Sequence, residues 1–254
     1  MVGDVVGSGG RQTVKKVLPG LRRDLKLDFV VLQGENLAGG FGLTEETVAE
    51  MVEYGTDIIT SGNHVWDKRD IVSRLDDPQF PVLRPLNYPP SNPGRGASSS
   101  GAVAVVNLIG RVWVGEFDSP FAAIDDLLAG GWAKGKPIVV DLHAEATSEK
   151  VAMGWHLDGR VAAVVGTHTH VATADCRILP GGTAYVTDLG MVGGMDSVIG
   201  MHVEEAMERF LTGVGRRFKP VTSGPMRFNS VMIEIDDKTG KAVSIERIDR
   251  ELEL

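Results

Sequence analysis

Four of the six histidines lie in three short segments, at 62–64, 141–143 and 166–170. Each segment directly follows an apolar run that is typical of a β-strand. Imidazole binds transition metals, and it also titrates near neutral pH. Three strands that each end in a histidine, or in an asparagine–histidine pair, therefore indicate a metal-centred active site.

Two further segments follow the same pattern, because Asp4 and the pair formed by Glu35 and Asn36 also stand at the tips of apolar runs. The mixture of carboxylate, amide and imidazole groups suits iron, manganese or zinc better than calcium or magnesium, which prefer oxygen ligands. No cysteine belongs to the set, which argues against a structural zinc site. The complete set of candidate ligands and catalytic groups is Asp4, Glu35, Asn36, Asn63, His64, His143, His168 and His170.

Eight such groups are more than one ion needs, so the pattern predicts a two-metal centre with ions about 3.5–4 Å apart. Glu35 has two carboxylate oxygens and can bridge the two ions. Such a centre lowers the pKa of a shared water and neutralises charge on phosphoryl oxygens in the transition state. A histidine would give the leaving alkoxide its proton. The predicted chemistry is hydrolysis.

The length, composition and net charge of the chain limit the kinds of substrate that it can bind. The chain has 254 residues, 43% of them hydrophobic, and a net charge of −8. This charge disfavours a surface that holds long nucleic acids, but it allows a small anionic substrate, because bound metal inverts the local field.

Cys176 is the only cysteine, which excludes an internal disulfide and fits a reducing compartment. The sequence has no recognisable signal peptide and no apolar run near 18 residues, so we expect a soluble cytoplasmic protein without a membrane span.

The pattern along the chain alternates strands with helices. A helix is predicted from Thr44 to Gly55, with Thr44 as its N-cap, and another begins at the cap residue Ser119. Further helices are predicted over 67–75, 148–157 and the apolar stripe from Val203 to Leu211, and strands over 29–32, 57–60, 102–108, 111–114, 137–142 and 161–165. Alternating apolar residues in 231–235 and 243–245 predict a β-hairpin. The sum is an α/β layered fold with mixed sheets, in which ligands bind beyond the carboxyl ends of the strands.

Two glycine-rich stretches near the amino terminus carry separate expectations. Only two residues precede Gly3, too few for a strand of about 5–6 residues, so we expect the first strand to begin upstream of Met1 in a single domain spanning 1–254. The stretch 7–10 resembles a phosphate-cradling loop but lacks the Gly-Lys-Ser/Thr ending of a nucleotide site. We expect it to be a flexible turn into the first helix.

The order of these motifs resembles the calcineurin-like metallophosphoesterase superfamily. The sequence differs from the usual superfamily motifs at two positions. Val6 stands in place of the histidine of the usual Asp-x-His opening, and Glu35 stands in place of the usual bridging aspartate. These departures, together with the motifs at 62–67, 84–88 and 141–150, are similar to the bacterial YmdB-like branch. The resemblance covers essentially the whole chain.

The resemblance implies a four-layer α-β-β-α sandwich with two mixed sheets, and phosphodiesterase activity on 2′,3′-cyclic nucleotides. It implies two metal ions, commonly iron with manganese as a substitute. Asp4, Glu35, Asn36 and His170 would bind one ion, and Glu35, Asn63, His143 and His168 the other. His64 would be the general acid when metal-bound hydroxide attacks the cyclic phosphate, and cleavage of the P–O2′ bond would leave a 3′-phosphate.

Plainer interpretations of the same residues remain open. Asp4 and His64 can each cap a helix, and Asn36 can order a turn. Arg84 can clamp a phosphate or form a surface salt bridge, and the role of Asp141 beside His143 is open.

Rival functions are a phosphomonoesterase with the same centre, a regulatory nucleotide-binding module with vestigial turnover, and a metal-dependent amidase, which is disfavoured by ligand spacing. The sequence leaves the metal and the oligomeric state open, a homo-oligomer included.

Overall fold

The computed structural model describes residues 1–133, 135–215 and 217–254, which alternate between helices and strands. The helices are α1 (Gly7–Asp24), α2 (Glu45–Glu53), α3 (Arg69–Val72), α4 (Pro120–Ala129), α5 (Thr147–Leu157) and α6 (Val203–Thr212). The strands are β1 (Asp4–Val5), β2 (Val31–Gln33), β3 (Ile58–Thr60), β4 (Ala97–Ser98), β5 (Ala104–Ile109), β6 (Ile138–His143), β7 (Ala163–Thr167), β8 (Arg177–Ile178), β9 (Ala184–Val186), β10 (Met191–Gly194), β11 (Pro225–Phe228), β12 (Val231–Ile235), β13 (Ala242–Arg247) and β14 (Arg250–Glu253).

The largest sheet has six strands in the order β4-β5-β6-β7-β9-β8. Strands β5, β6, β7 and β9 are parallel, whereas β4 and β8 pair antiparallel at the two edges. The central strands are largely apolar and fully buried, as expected for parallel strands covered on both faces. Their register places His143 opposite Thr167, so that the polar ends of β6 and β7 lie side by side.

The other strands build smaller sheets around the amino terminus. A four-stranded sheet has the order β1-β10-β11-β14, and β2 pairs with β3 in parallel. Val2 forms single bridges to Leu32 and to Ser230, which connect the start of the chain with β2 and with the segment before β12. The prediction of a mixed α/β fold is confirmed.

Local signals in the sequence explain where several helices and strands begin and end. Thr44 begins α2 as predicted, because its hydroxyl accepts a hydrogen bond from Thr47 N at 3.2 Å and its own N–H donates to Thr47 Oγ1 at 3.0 Å. The hairpin of β12 and β13 also forms as predicted, with Ile233 opposite Ile245. No helix in the described part of the chain has the length and apolar character needed to cross a membrane.

The predicted strand over 111–114 is wrong, because these residues form a turn. The Glu149 carboxylate accepts hydrogen bonds from the N–H groups of Arg111 and Val112, at 3.0 and 3.2 Å, and Trp113 takes a positive φ of 63°. A buried carboxylate that satisfies two consecutive N–H groups replaces the strand partner that alternating valines had suggested.

Two helix predictions also need correction. Residues 7–10 are the first turn of α1 and not a flexible turn before it. A Cβ atom on Gly9 or Gly10 would lie 2.4–2.5 Å from a carbonyl oxygen of Val221 or Val192, so these glycines allow α1 to approach its neighbours closely. The helix predicted over 67–75 is reduced to the single turn of α3, after which Arg74 N donates to Ile71 O in a tighter turn.

Candidate metal centre

The candidate ligands converge because the strands that carry them end at the same place. Asp4 is in β1, Glu35 follows β2, Asn63 follows β3, His143 ends β6 and His168 follows β7. Parallel pairing in β2–β3 and β6–β7 aligns their carboxyl ends. Five segments that are distant in sequence thereby deliver side chains to one point.

The most compact part of the site contains Glu35, His143 and His168. His143 Nε2 lies 2.9 Å from Glu35 Oε1 and 2.9 Å from His168 Nδ1. One ligand atom from each of the three residues lies within 4.8 Å of the other two. Imidazole nitrogens and a carboxylate at this spacing form a set that a transition metal can bind.

A second group of candidate ligands adjoins the first. His170 Nε2 lies 3.3 Å from Asn36 Oδ1 and 3.9 Å from Asp4 Oδ1. The same Asp4 oxygen lies 3.9 Å from His143 Nδ1, and Asp4 Oδ2 accepts a hydrogen bond from His168 N at 3.2 Å. The structure therefore brings members of both predicted ligand sets together.

The polar atoms of the site fit a bound cation. Within the described residues, Asp4 Oδ1 and Asn63 Oδ1 are buried without a hydrogen-bond partner. A buried polar atom left unpaired is costly, so each such atom needs an explanation, and a bound ion is one. The unpaired Asp4 oxygen, 3.9 Å from both His143 Nδ1 and His170 Nε2, is a donor that a metal ion would satisfy.

Charge at the site is balanced between Glu35 and His143. Burial alone would raise the pKa of Glu35, but the charge of His143 and its hydrogen bond lower that pKa to about 2. Burial would lower the pKa of His143, yet Glu35, followed by Asp4, raises it to about 9. The pKa of His168 falls to about 3 through burial and the adjacent His143, whereas burial raises the pKa of Asp4 well above its usual range. Glu35 and His143 therefore stabilise each other's charged forms in the metal-free site.

The loop that carries His168 and His170 is strained. These residues have φ angles of 99° and 64°, in a region that non-glycine residues seldom adopt. Between them, Thr169 donates from its N–H and its hydroxyl to Asp188 Oδ2, at 3.1 and 2.8 Å. Strain of this kind persists only where surrounding contacts fix it, and here it turns both imidazoles towards the site.

His64 stands at the edge of the site, with 29% of its side chain exposed. Its N–H donates to Glu35 Oε2 at 3.2 Å, and its ring Nδ1 lies 2.8 Å from Asp67 Oδ2. Asp67 follows by three residues in the same turn, so the pair is local. The arrangement leaves Nε2 as the ring nitrogen that is not engaged by Asp67.

Known proteins resemble the chain over nearly its whole length. A family model described as YmdB-like protein matches residues 1–248. The chain is 48% identical to the 2′,3′-cyclic-nucleotide 2′-phosphodiesterase of Bacillus subtilis, over 97% of this chain and 94% of that protein. Two crystal structures superpose with TM-scores of 0.91. One is a hypothetical protein from Thermus thermophilus, with 40% identity over 98% of this chain and 97% of that one. The other is a novel phosphatase from Mycoplasma pneumoniae, with 33% identity over 99% of this chain and 92% of that one.

The chain belongs to the YmdB-like family. The resemblance stated from the sequence is confirmed, and so is the prediction that this YmdB-like chain is an enzyme that hydrolyses phosphate esters.

Arg84 is not placed to clamp a phosphate in this YmdB-like enzyme. Its guanidinium donates to the backbone carbonyls of Gly94 and Pro85, at 3.1 and 2.8 Å, and the residue is buried. Those contacts occupy donors that would bind an anion. Arg84 instead ties its own segment to the loop that precedes β4, which corrects the substrate-binding expectation.

Two supporting residues of the YmdB-like site, Gln33 and Thr167, lacked a signal in the sequence, whereas the role of Asp141 had been left open. Gln33 Nε2 lies 3.0 Å from His143 Nδ1, and Thr167 Oγ1 lies 3.1 Å from the same nitrogen while donating to Asp141 Oδ1 at 2.7 Å. Asp141 is therefore a buried acceptor behind Thr167. Glu145 Oε2 lies 3.3 Å from His168 Nε2. Hydrogen-bond partners of this kind orient metal-binding imidazoles. Neighbouring strands bring these partners next to the imidazoles, so their spacing in the sequence does not reveal the contact.

Proposed function

We propose that this chain is a di-metal phosphodiesterase whose substrates are small phosphodiesters, most specifically 2′,3′-cyclic nucleotides. The observation that carries the proposal is the convergence of the buried Glu35 carboxylate with the imidazoles of His143 and His168 within 4.8 Å. The name of the Bacillus subtilis relative supports the choice of substrate. The four-layer α-β-β-α arrangement, the single domain over 1–254 and the cytoplasmic location remain predictions.

The residues divide into two ligand sets. Asp4, Glu35, Asn36 and His170 would hold one ion, and Glu35, Asn63, His143 and His168 would hold the other. Iron, manganese and zinc all accept this mixture of donors. When bound, such ions supply Lewis acidity, neutralise phosphoryl charge and lower the pKa of water.

The chain's own residues account for the choice of substrate size and charge. The site is lined by buried groups, of which Asp4, Glu35 and His143 are at most 2% exposed. The net charge of −8 repels a long polyanion. A compact phosphodiester with one negative charge meets these conditions.

His64 is the proposed general acid. With a proton on each ring nitrogen, it is paired to Asp67 through Nδ1 and can release the proton from Nε2. The contact with the Asp67 carboxylate fixes the orientation of the ring. In the reaction, the oxygen of a water bonds to phosphorus and the water releases one proton to solvent, the P–O2′ bond breaks, and the proton from His64 Nε2 passes to O2′; His64 then regains a proton from solvent. The product is a nucleoside 3′-phosphate with a free 2′-hydroxyl.

A phosphomonoesterase is the second candidate, since the related Mycoplasma pneumoniae structure is called a phosphatase. The two functions differ in the number of ester bonds on the reacting phosphorus. Turnover of bis-p-nitrophenyl phosphate should exceed that of p-nitrophenyl phosphate if the chain is a diesterase. Faster monoester hydrolysis would favour the second candidate.

The direct test combines metal analysis with a defined substrate. Protein purified without oxygen should contain about two transition-metal ions per chain, and it should convert 2′,3′-cyclic AMP to 3′-AMP. Dialysis against a chelator should abolish turnover, and returning iron or manganese should restore it. A protein that binds no transition metal under loading conditions would overturn the proposal.

A further inference from the structure

Three aromatic side chains form a cluster beside the candidate site. The ring of Tyr88 lies 4.6 Å from that of Trp66 and 4.8 Å from that of Phe117, and both contacts are edge-to-face. All three side chains are half-buried, so each presents part of its ring to solvent. The proposed reaction assigns no role to this cluster, which comprises Trp66, Tyr88 and Phe117.

The cluster is connected to the reacting end of the site through one turn of the chain. Trp66 lies two residues after His64, and that turn is closed by a hydrogen bond from Asp67 N to His64 O at 3.1 Å. Burial is the main cause that raises the pKa of Tyr88 to about 12, and the charges of Glu35 and Asp67 add to it. The contact between the Trp66 and Tyr88 rings therefore joins Tyr88 to the turn that carries His64.

Tyr88 also lines a cavity of about 510 Å³. Apolar lining comes from Leu86 and Pro90 and from Ala122 on α4. Asp118 and Asp126 supply carboxylates to the same cavity. A space of this size with an aromatic wall is suited to a flat heterocycle, and two carboxylates exclude a phosphate from it.

We propose that Tyr88 and this cavity bind the base of the nucleotide, with the Trp66 and Phe117 rings holding Tyr88 in place. This proposal rests on the proposed function. In this arrangement the phosphate lies near His64, the ribose near Trp66, and the base against Tyr88 and in the cavity. The carboxylates of Asp118 and Asp126 repel the phosphate from the cavity, which favours that orientation. Stacking of a base on an aromatic side chain contributes about 1–3 kcal/mol.

The test compares two substrates that differ only in the base. One is 2′,3′-cyclic AMP, and the other is 1-O-methylribose 2′,3′-cyclic phosphate, which has the same ester but no base. The metal-loaded enzyme should show a kcat/KM that is about 5–150-fold higher for the nucleotide, as stacking of this strength implies. The difference should reside mainly in KM.

A matched pair of variants on α4 isolates the cavity. Ala122 is exposed and lines the cavity, whereas Ala129 is exposed on the same helix and does not. Ala122→Trp should fill the cavity and reduce the ratio of kcat/KM for the two substrates towards one, and Ala129→Trp should leave the ratio at its wild-type value. Tyr88→Leu should also lower the ratio, while Tyr88→Phe, which keeps the ring, should preserve most of it.

The outcomes separate the two proposals. Equal kcat/KM for the two substrates in the wild type, or a ratio that Ala122→Trp does not change, would overturn the base site and leave the phosphodiesterase standing. Absence of turnover on both substrates would contradict the proposed function. Calorimetric titration with adenosine, which contains no phosphate, then decides the base site by itself: binding that Ala122→Trp removes supports it, and absence of binding overturns it.

Discussion

Lys150 Nζ lies 2.6 Å from Asp188 Oδ2, and both side chains are about 1% exposed. The same carboxylate accepts the two hydrogen bonds from Thr169, and its other oxygen accepts one from Gly190 N at 2.8 Å. Gly190 in turn accepts from Asp4 N through its carbonyl, at 3.0 Å. One buried ion pair thus fixes the strained loop that carries two histidines and also the strand that carries Asp4.

The first prediction concerns Asp188→Asn, which keeps the shape of the side chain but removes its charge. Metal affinity should fall by about 10–100-fold, the range found for groups that orient metal ligands. The measurement is competition with a chelator of known affinity. The double variant Lys150→Met with Asp188→Asn removes the unpaired buried cation as well, so it should be more stable to urea than Asp188→Asn alone. Unchanged metal affinity in Asp188→Asn would contradict this role.

The second prediction concerns Gly62, where the site needs empty space. A Cβ atom at this position would lie 2.2 Å from His143 Cδ2 and 2.4 Å from Glu35 Oε2. Gly62→Ala should therefore displace one of these side chains and abolish stoichiometric metal binding, as measured by metal analysis after gel filtration. Gly20→Ala is the control, because a Cβ there meets nothing within 4 Å and alanine favours a helix by up to about 1 kcal/mol. Full metal loading of Gly62→Ala would show that the site tolerates the extra methyl group.

The residues that act at strand ends could be predicted from the sequence, because apolar runs followed by His, Asn or Glu reveal both the strand and its tip. Asp4, Glu35, His143 and His168 were found in this way, and the structure brings them together. Residues whose function depends on a neighbouring element could not be found. Asp188 is one example, since its partner Lys150 is 38 positions away and on a different element.

The misread segments are explained by hydrogen bonds that the sequence pattern does not contain. Residues 111–114 alternate like a strand, but their N–H groups are satisfied by Glu149 from α5, a contact that the pattern does not contain. Arg84 looked like an anion-binding residue by its type, yet nearby carbonyl groups of the chain use its donors. Periodicity and residue type describe what a segment can do, and tertiary hydrogen bonds decide what it does.

The third prediction follows from the pKa of His143. At about 9 in the metal-free protein, this pKa leaves the imidazole protonated at neutral pH, and metal binding must remove that proton. Binding at about pH 7.5 should release at least one proton, and affinity should rise about tenfold per pH unit up to about pH 9. His168, with a pKa of about 3, is already neutral and adds nothing. Calorimetric titration in buffers with different ionisation enthalpies measures the release. Binding without proton release would contradict the ion pair between His143 and Glu35.

The fourth prediction separates proton donation by His64 from metal binding. His64→Gln should lower kcat for 2′,3′-cyclic AMP by about 10²–10⁴-fold, because the ribose oxygen leaves poorly without a proton. Bis-p-nitrophenyl phosphate should be affected far less, since its leaving group departs as a stable anion. Asp67→Asn should lower kcat for the cyclic nucleotide more than for bis-p-nitrophenyl phosphate, because the carboxylate that holds the His64 ring at 2.8 Å is gone. Metal content should equal that of the wild type in both variants. Equal losses on the two substrates would assign His64 to ligand binding or folding instead of acid catalysis.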